Sequence, residues 1–143
     1  MNEILTEMLT NYGLSEIDGP LAHPDIMKFF HEIGFDWVKD DSTAWCSAAL
    51  NFFAKKHGYY RSGKLDARSW LKVGDIVLEP QLGDIVVFWR ESYASWKGHV
   101  ALYINSNDRY IWCLGGNQSN SISIMAYPRE RLLGYRRLSK IAV

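Results

Sequence analysis

Three residues of the types that form a nucleophilic cysteine site occur in this sequence, far apart along the chain. Cys46 falls in the first turn of a predicted helix, where a thiol ionises more easily, and the thiolate is the nucleophilic form. His99 opens an apolar segment, where an imidazole can take the thiol proton and later return it to a leaving amine. Asn117 follows two glycines and can accept the imidazole N–H, which would fix the orientation of the ring.

Each of these residues also has an explanation that involves no chemistry. Cys46 can be a small buried cysteine beside Ala48 and Ala49, and His99 can be a hydrogen-bonded core histidine. Gly-Gly-Asn is by itself a turn sequence. The prediction of a site therefore depends on the combination, because a helix N-terminus, the start of a strand and the end of a hairpin would have to converge.

The first half of the chain must supply the helix that carries Cys46. Apolar residues recur there at helical spacing, and capping residues, proline and glycine mark the ends. The sequence predicts three helices and a short further turn of helix: from Asn2 as N-cap to Gly13, from Pro24 to Gly34, from Ser42 or Thr43 as N-cap to Gly58, and over 66–71.

The second half must supply the strands that carry His99 and Asn117. β-Branched and aromatic runs predict strands over 84–89, 99–104, 109–114, 121–127 and 133–137. A polar turn over 105–108 predicts a hairpin that brings His99 and 114–117 to the same end of the sheet. Helices followed by antiparallel strands predict an α+β fold. We expect a single domain over 1–143, with a helical part of about 1–72 and a β part of about 74–138.

Composition supports a packed core and disfavours two classes of partner. Apolar residues make up 48% of the 143 residues, and 16 basic residues balance 16 acidic ones, so the formal net charge is zero. Proteins that bind nucleic acid or anionic membranes by charge usually have a basic excess, so we expect neither partner. Two cysteines are too few for a disulfide framework or a four-cysteine zinc site. We expect a monomer without a cofactor.

The order and spacing of four motifs resemble the CHAP and NlpC-type papain-like cysteine amidohydrolase superfamily. The motifs are Trp45-Cys46 at the start of a helix, Gly83–Phe88, Gly98-His99-Val100 and Gly115-Gly116-Asn117-Gln118. The chain is most similar to small single-domain members among phage lysins and cell-wall-directed effectors, and the resemblance spans most of it. It implies a papain-like α+β fold, with N-terminal helices packed on a C-terminal antiparallel β-sheet or half-barrel. It also implies a catalytic set of Cys46 as nucleophile, His99 as base and Asn117 as orienting residue.

The sequence departs from this family in one position that matters for the site. Many CHAP members have an acidic residue two positions before the asparagine, whereas this chain has Gly115, so the orienting role falls to Asn117 alone or to another group. Some relatives bind calcium near the nucleophile helix, but Asp40 and Asp41 more simply complement the helix dipole, and we assign no metal. Cys113 is predicted to be an inert buried thiol. The alternative is a Cys46–Cys113 disulfide after export, which would remove the nucleophile.

Candidate substrate contacts are Trp45, Trp96 and Gln118, with Trp89 a further candidate. Trp96 is favoured because it lies three residues before His99 in a polar loop, although an aromatic residue beside a strand is more often a core residue. The oxyanion of the reaction intermediate would be held by the Cys46 backbone N–H and a second donor from 41–45.

These observations predict a peptidoglycan hydrolase that cleaves an amide bond through a thioester intermediate, as an N-acetylmuramoyl-L-alanine amidase or a stem-peptide endopeptidase. The alternatives are a papain-like deamidase or transglutaminase-type toxin that acts on proteins, and a non-catalytic cell-wall-binding domain. Residues 1–12 contain no basic residue, so we expect no signal peptide. The protein would then be made in the cytoplasm and act in the periplasm or cell wall after non-classical export or lysis. Its partners would be peptidoglycan and, for an effector, an immunity protein or export machinery.

Overall fold

A computed structural model describes residues 2–17, 22–38 and 44–142 of the chain. Helices lie in the first half and a six-stranded antiparallel sheet in the second, so the α+β prediction is confirmed. None of the helices in the described ranges is long and apolar enough to cross a membrane. The elements are α1 (Glu3–Thr10), α2 (Pro24–His31), α3 (Cys46–Lys56), a 3-10 helix (Ala67–Lys72), β1 (Asp75–Val77), β2 (Ile85–Trp89), β3 (Gly98–Ser106), β4 (Tyr110–Gln118), β5 (Ser121–Pro128), a second 3-10 helix (Arg129–Arg131) and β6 (Leu132–Arg137).

The starts of the helices follow the predicted signals in two cases of three. The Asn2 side chain caps α1 by accepting the N–H of Leu5 at 2.7 Å, and Pro24 occupies the first position of α2. The N-cap of α3 is Trp45, whose side chain makes no capping hydrogen bond. The prediction of Ser42 or Thr43 as N-cap is therefore wrong, and both residues lie outside the described part of the chain. Cys46 is consequently the first residue of α3.

The strands are arranged in the order β1-β6-β2-β3-β4-β5. The segment Gly-Asp-Ile-Val occurs twice in the chain, at 74–77 and 83–86. The two copies lead into β1 and β2, which pair with opposite sides of β6, and Ile76 and Ile85 both lie opposite Arg136. Gly74 and Gly83 have φ values of 77° and 91°, a left-handed conformation that glycine adopts readily. The short repeat therefore reflects two equivalent turns into strands on either side of β6. The three-residue strand β1 was not predicted.

The two faces of the sheet pack into separate apolar clusters. One face packs on the helices through residues such as Val87, Val100 and Leu102. The opposite face forms its own cluster, which includes Phe88 and Cys113. Helix α3 lies between α1, α2 and strands β3 and β4, and it is therefore buried on nearly all sides rather than along one stripe. The site described below lies at the N-terminal end of this buried helix.

Gly116 allows β4 to approach the start of α3 closely. A Cβ atom at this position would lie 2.6 Å from a ring carbon of Trp45, which is itself fully buried. A buried indole cannot move without disturbing its neighbours, so an added methyl group would force the helix and the strand apart. The absence of a side chain at Gly116 thus fixes the distance between α3 and the sheet.

We expect Gly116→Ala to destabilise the protein by about 1–3 kcal/mol, the usual cost of overpacking a core, and to lower the denaturant midpoint accordingly. Gly134→Ala is the matched control, because its nearest contact is the terminal Nη1 of the Arg136 side chain at 2.9 Å and not a fully buried ring. The control should lose clearly less stability. An equal loss in both variants would show that the Trp45 contact does not limit the packing.

Candidate active site

Strand β3 places His99 against the N-terminus of α3, where Cys46 lies. The side chains are 3% and 4% exposed, respectively. The imidazole lies close enough to the thiol to lower its pKa. The structure therefore brings together the two residues predicted to be nucleophile and base.

The surroundings of Cys46 favour its thiolate form. Burial raises the pKa of the thiol, but the charge of His99 and its hydrogen bond lower that pKa, and the backbone N–H groups of Val100 and Ser47 lower it further. The net result is a pKa below the ordinary thiol value. A lower pKa favours the thiolate, which is the nucleophilic form of cysteine.

Gln118 fixes the orientation of His99. Its amide nitrogen donates to the carbonyls of Cys113 at 3.1 Å and Ser123 at 2.6 Å, and its Oε1 lies 2.9 Å from His99 Nε2. Because carbonyls only accept hydrogen bonds, the amide has one orientation, with its oxygen toward the imidazole. The neutral ring must then carry its hydrogen on Nε2, which leaves Nδ1 to take the proton from the thiol.

The hydrogen bond predicted for Asn117 is thus made by its neighbour, and the prediction is corrected in this respect. The pairing of β4 with β5 is irregular between Gly115 and Gln118, and Asn117 has a left-handed backbone with φ 59°. Such a bulge changes the alternation of side chains by one residue, so Gln118 takes the position facing His99. Gln118 was predicted to bind substrate, but it is 1% exposed and its amide is used internally. Asn117 lines a neighbouring pocket.

Tyr127 of β5 is a further member of the site, and sequence reasoning missed it. Its ring stacks on His99 with the centroids 4.9 Å apart, and its Oη lies 3.1 Å from His99 Nε2. The same ring also stacks on the ring of Phe88, with the centroids again 4.9 Å apart. Burial raises the pKa of Tyr127, so its hydroxyl stays neutral. Only the β-strand pattern of 121–127 was visible in the sequence, and it does not indicate which ring the tyrosine meets.

A pocket of about 150 Å³ adjoins His99 and Gln118. Among its lining residues are the aromatic side chains of Trp89 and Tyr127 and the basic side chains of Arg90 and Arg131. The Arg131 guanidinium lies over the Trp89 ring, 5.0 Å from its centroid, in a cation–π contact. The pocket therefore offers aromatic surface and positive charge directly beside the candidate base.

Two of the other predicted aromatic contacts do not line this pocket. Trp45 is 0% exposed, and its indole N–H donates to Glu16 at 3.2 Å, so the prediction that it contacts substrate is wrong. Trp96 is 71% exposed in the loop between β2 and β3, with Lys97 Nζ 6.0 Å from its ring centroid. Trp89, the further candidate for a substrate contact, lines the pocket. Of the segment expected to hold the second oxyanion donor, only 44 and 45 are described.

The second cysteine does not lie at the N-terminus of α3; it belongs to the cluster against which Tyr127 packs. Cys113 belongs to the cluster on the sheet face opposite the helices, and burial raises its pKa. Both cysteines are free thiols, so the alternative of a Cys46–Cys113 disulfide is not found. Asp40 and Asp41 lie outside the described residues. Within the ranges that are described, no group of three or more His, Cys, Asp or Glu side chains is arranged to hold a metal ion.

The fold has a counterpart among solved structures. Over 94% of its length the chain is similar to a crystal structure from Staphylococcus aureus subsp. aureus Mu50, described as similar to lipoprotein, NLP/P60 family, with a TM-score of 0.51. The two sequences are 19% identical, and the match covers 39% of that longer chain. At this identity the similarity shows the fold alone. No protein-family model and no curated protein matches this sequence.

The lowered pKa of Cys46 can be tested by ultraviolet titration of the thiolate. In a Cys113→Ala background we expect thiolate absorbance to appear at a pH below that of an ordinary thiol, because His99 stabilises the anion. Replacing His99 by Gln in the same background should move the titration to higher pH, since burial then acts without a compensating charge. Identical titrations with and without His99 would contradict the ion pair.

Proposed function

We propose that this protein is a cysteine-dependent amidohydrolase of the NlpC/P60 type that cleaves an amide bond of peptidoglycan. The observation that carries the proposal is the buried Cys46 thiol whose pKa His99 lowers at the N-terminus of α3. The solved NLP/P60 counterpart and the motif resemblance support the class of enzyme. A wall-binding domain without catalysis would have no need for an activated buried thiol.

The reaction would proceed in two halves. His99 accepts the proton of Cys46, and the thiolate attacks the amide carbonyl while the backbone N–H of Cys46 stabilises the oxyanion. The amine then leaves with the proton held by His99, and a thioester remains on Cys46. In the second half His99 takes a proton from water, hydroxide attacks the thioester, and the carboxylic acid and the free thiol are released.

The pocket beside His99 supports a peptide as the part of the wall that is bound. Arginine side chains pair with carboxylates, and the faces of Trp89 and Tyr127 offer apolar contact, a combination that suits a short acidic peptide. Both candidate bonds, between the sugar lactyl group and L-Ala or within the stem peptide, lie next to such a peptide. We propose that the protein acts on it in the periplasm or cell wall.

Cys46→Ala should abolish the release of new amine and carboxyl termini from purified sacculi, because the nucleophile is lost. Cys113→Ala is the matched control, since it removes the other thiol, whose pKa is raised by burial, and should retain activity. Mass spectrometry of the soluble muropeptides is the measurement, and it also identifies the bond. Unchanged products with Cys46→Ala would disprove the mechanism, and deamidation of a protein without wall products would favour the toxin alternative.

Gln118→Ala should lower kcat by about 10- to 150-fold, the equivalent of about 1.5–3 kcal/mol for a hydrogen bond to a charged imidazolium. Asn117→Gly keeps the left-handed backbone, and we expect it to change kcat much less because Asn117 makes no hydrogen bond to His99 in the structure. The pH–rate profile should shift only in the Gln118 variant. If the two effects were reversed, Asn117 would be the orienting residue.

A further inference from the structure

A second pocket lies outside the Cys46–His99 site, between the loop that follows α3 and the first 3-10 helix. This Arg61 pocket has a volume of about 420 Å³ and is lined by residues in the range 61–73. Four of them are basic and one is acidic: Arg61, Lys64, Arg68, Lys72 and Asp66. The side chains that line the pocket thus carry a net charge of +3, although the formal net charge of the whole chain is zero.

Arg61 is the most informative of these residues. It is half-buried, and its Nη1 is shielded from solvent without a hydrogen-bond partner in the described part of the chain. A buried cationic nitrogen that lacks a partner is costly, because it has lost its hydration and gained nothing in return. An anion in the pocket would offset the charge of this guanidinium.

The acidic residue of the pocket does not neutralise this charge. Among the described residues Asp66 makes no ion pair, and the carboxylates that do so are Glu3, Glu7, Asp84 and Glu91. Arg68 donates to three backbone carbonyls, those of Ser92, Tyr93 and Lys97, at 2.8–3.0 Å. These neutral acceptors hold the guanidinium in place and leave its charge uncompensated.

We propose that the Arg61 pocket binds an anion of the phosphate class, either inorganic phosphate or the phosphate of an ester. A tetrahedral oxyanion can accept from several directions at once, which suits the Arg61 fork and the ammonium groups of Lys64 and Lys72. The hydroxyls of Ser62 and Ser69 also line the pocket. A planar carboxylate would use one guanidinium and leave most of this volume and charge unused.

The test is thermal unfolding of the full chain at constant ionic strength, with sodium phosphate or glycerol phosphate replacing chloride. At ten times Kd we expect either anion to raise Tm by about 3–6 °C. Arg61→Met should bind at least about tenfold more weakly, the loss expected for a charged hydrogen bond. In chloride its Tm should equal or exceed that of the parent, because the variant removes an unpaired buried cation. Arg109→Met, which removes a basic side chain lining a different pocket, is the matched control and should keep the response.

Lys72→Met provides a second variant with an exposed side chain, and it should weaken binding without affecting the fold. Binding of both anions supports a general phosphate site, and binding of glycerol phosphate alone supports a phosphate ester as ligand. The proposal is overturned if neither anion raises Tm above the chloride value, or if Arg61→Met responds like the parent. Cys46→Ala should bind phosphate normally, so the result is separate from that of the hydrolase test.

Discussion

The contact between the His99 imidazole and the Cys46 thiol is the interaction on which the candidate site depends. A thiol buried as deeply as Cys46 would ordinarily keep its proton, because a low-dielectric interior disfavours the anion. The imidazole reverses that preference. Cys113 shows the other outcome in the same protein, since it is also buried and its burial raises its pKa.

The imidazole can lower the pKa of Cys46 only while its ring is held in one orientation. Neighbouring side chains hold the ring, and the backbone of the sheet holds those side chains. The Gln118 amide oxygen accepts a hydrogen bond from His99 Nε2, and the Gln118 amide nitrogen donates to two backbone carbonyls, one in β4 and one in β5. Tyr127 covers the ring face. The amide cannot rotate without breaking two hydrogen bonds to buried carbonyls, so the tautomer of His99 is set by the backbone of the sheet.

The α+β fold could be predicted because it depends on local signals, the helical periodicity of the first half and the β-branched and aromatic runs of the second. The meeting of Cys46 with His99 was predicted from the combination and order of the motifs, since no local pattern joins residues so far apart along the chain. Asn117 was assigned the role of Gln118 because a bulge depends on pairing with β5, which the local pattern does not contain. Trp45 was wrongly predicted to contact substrate because it adjoins the nucleophile in the sequence, whereas its ring belongs to the apolar face that packs into the core. Tyr127 belongs to a strand that is distant in the sequence, and the residues around it do not predict its contact with His99.

Strand β3 supplies two consecutive groups to one sulfur atom, the ring of His99 and the N–H of Val100. Successive residues of a strand point to opposite faces, so a shift of β3 by one position against β2 would turn the ring away and displace the amide at the same time. A register shift of β3 therefore removes both contacts with Cys46 together and cannot remove one alone. A molecule whose sheet is paired out of register would lack both contacts, so the lowered pKa of Cys46 would arise only once the sheet had formed in its correct register.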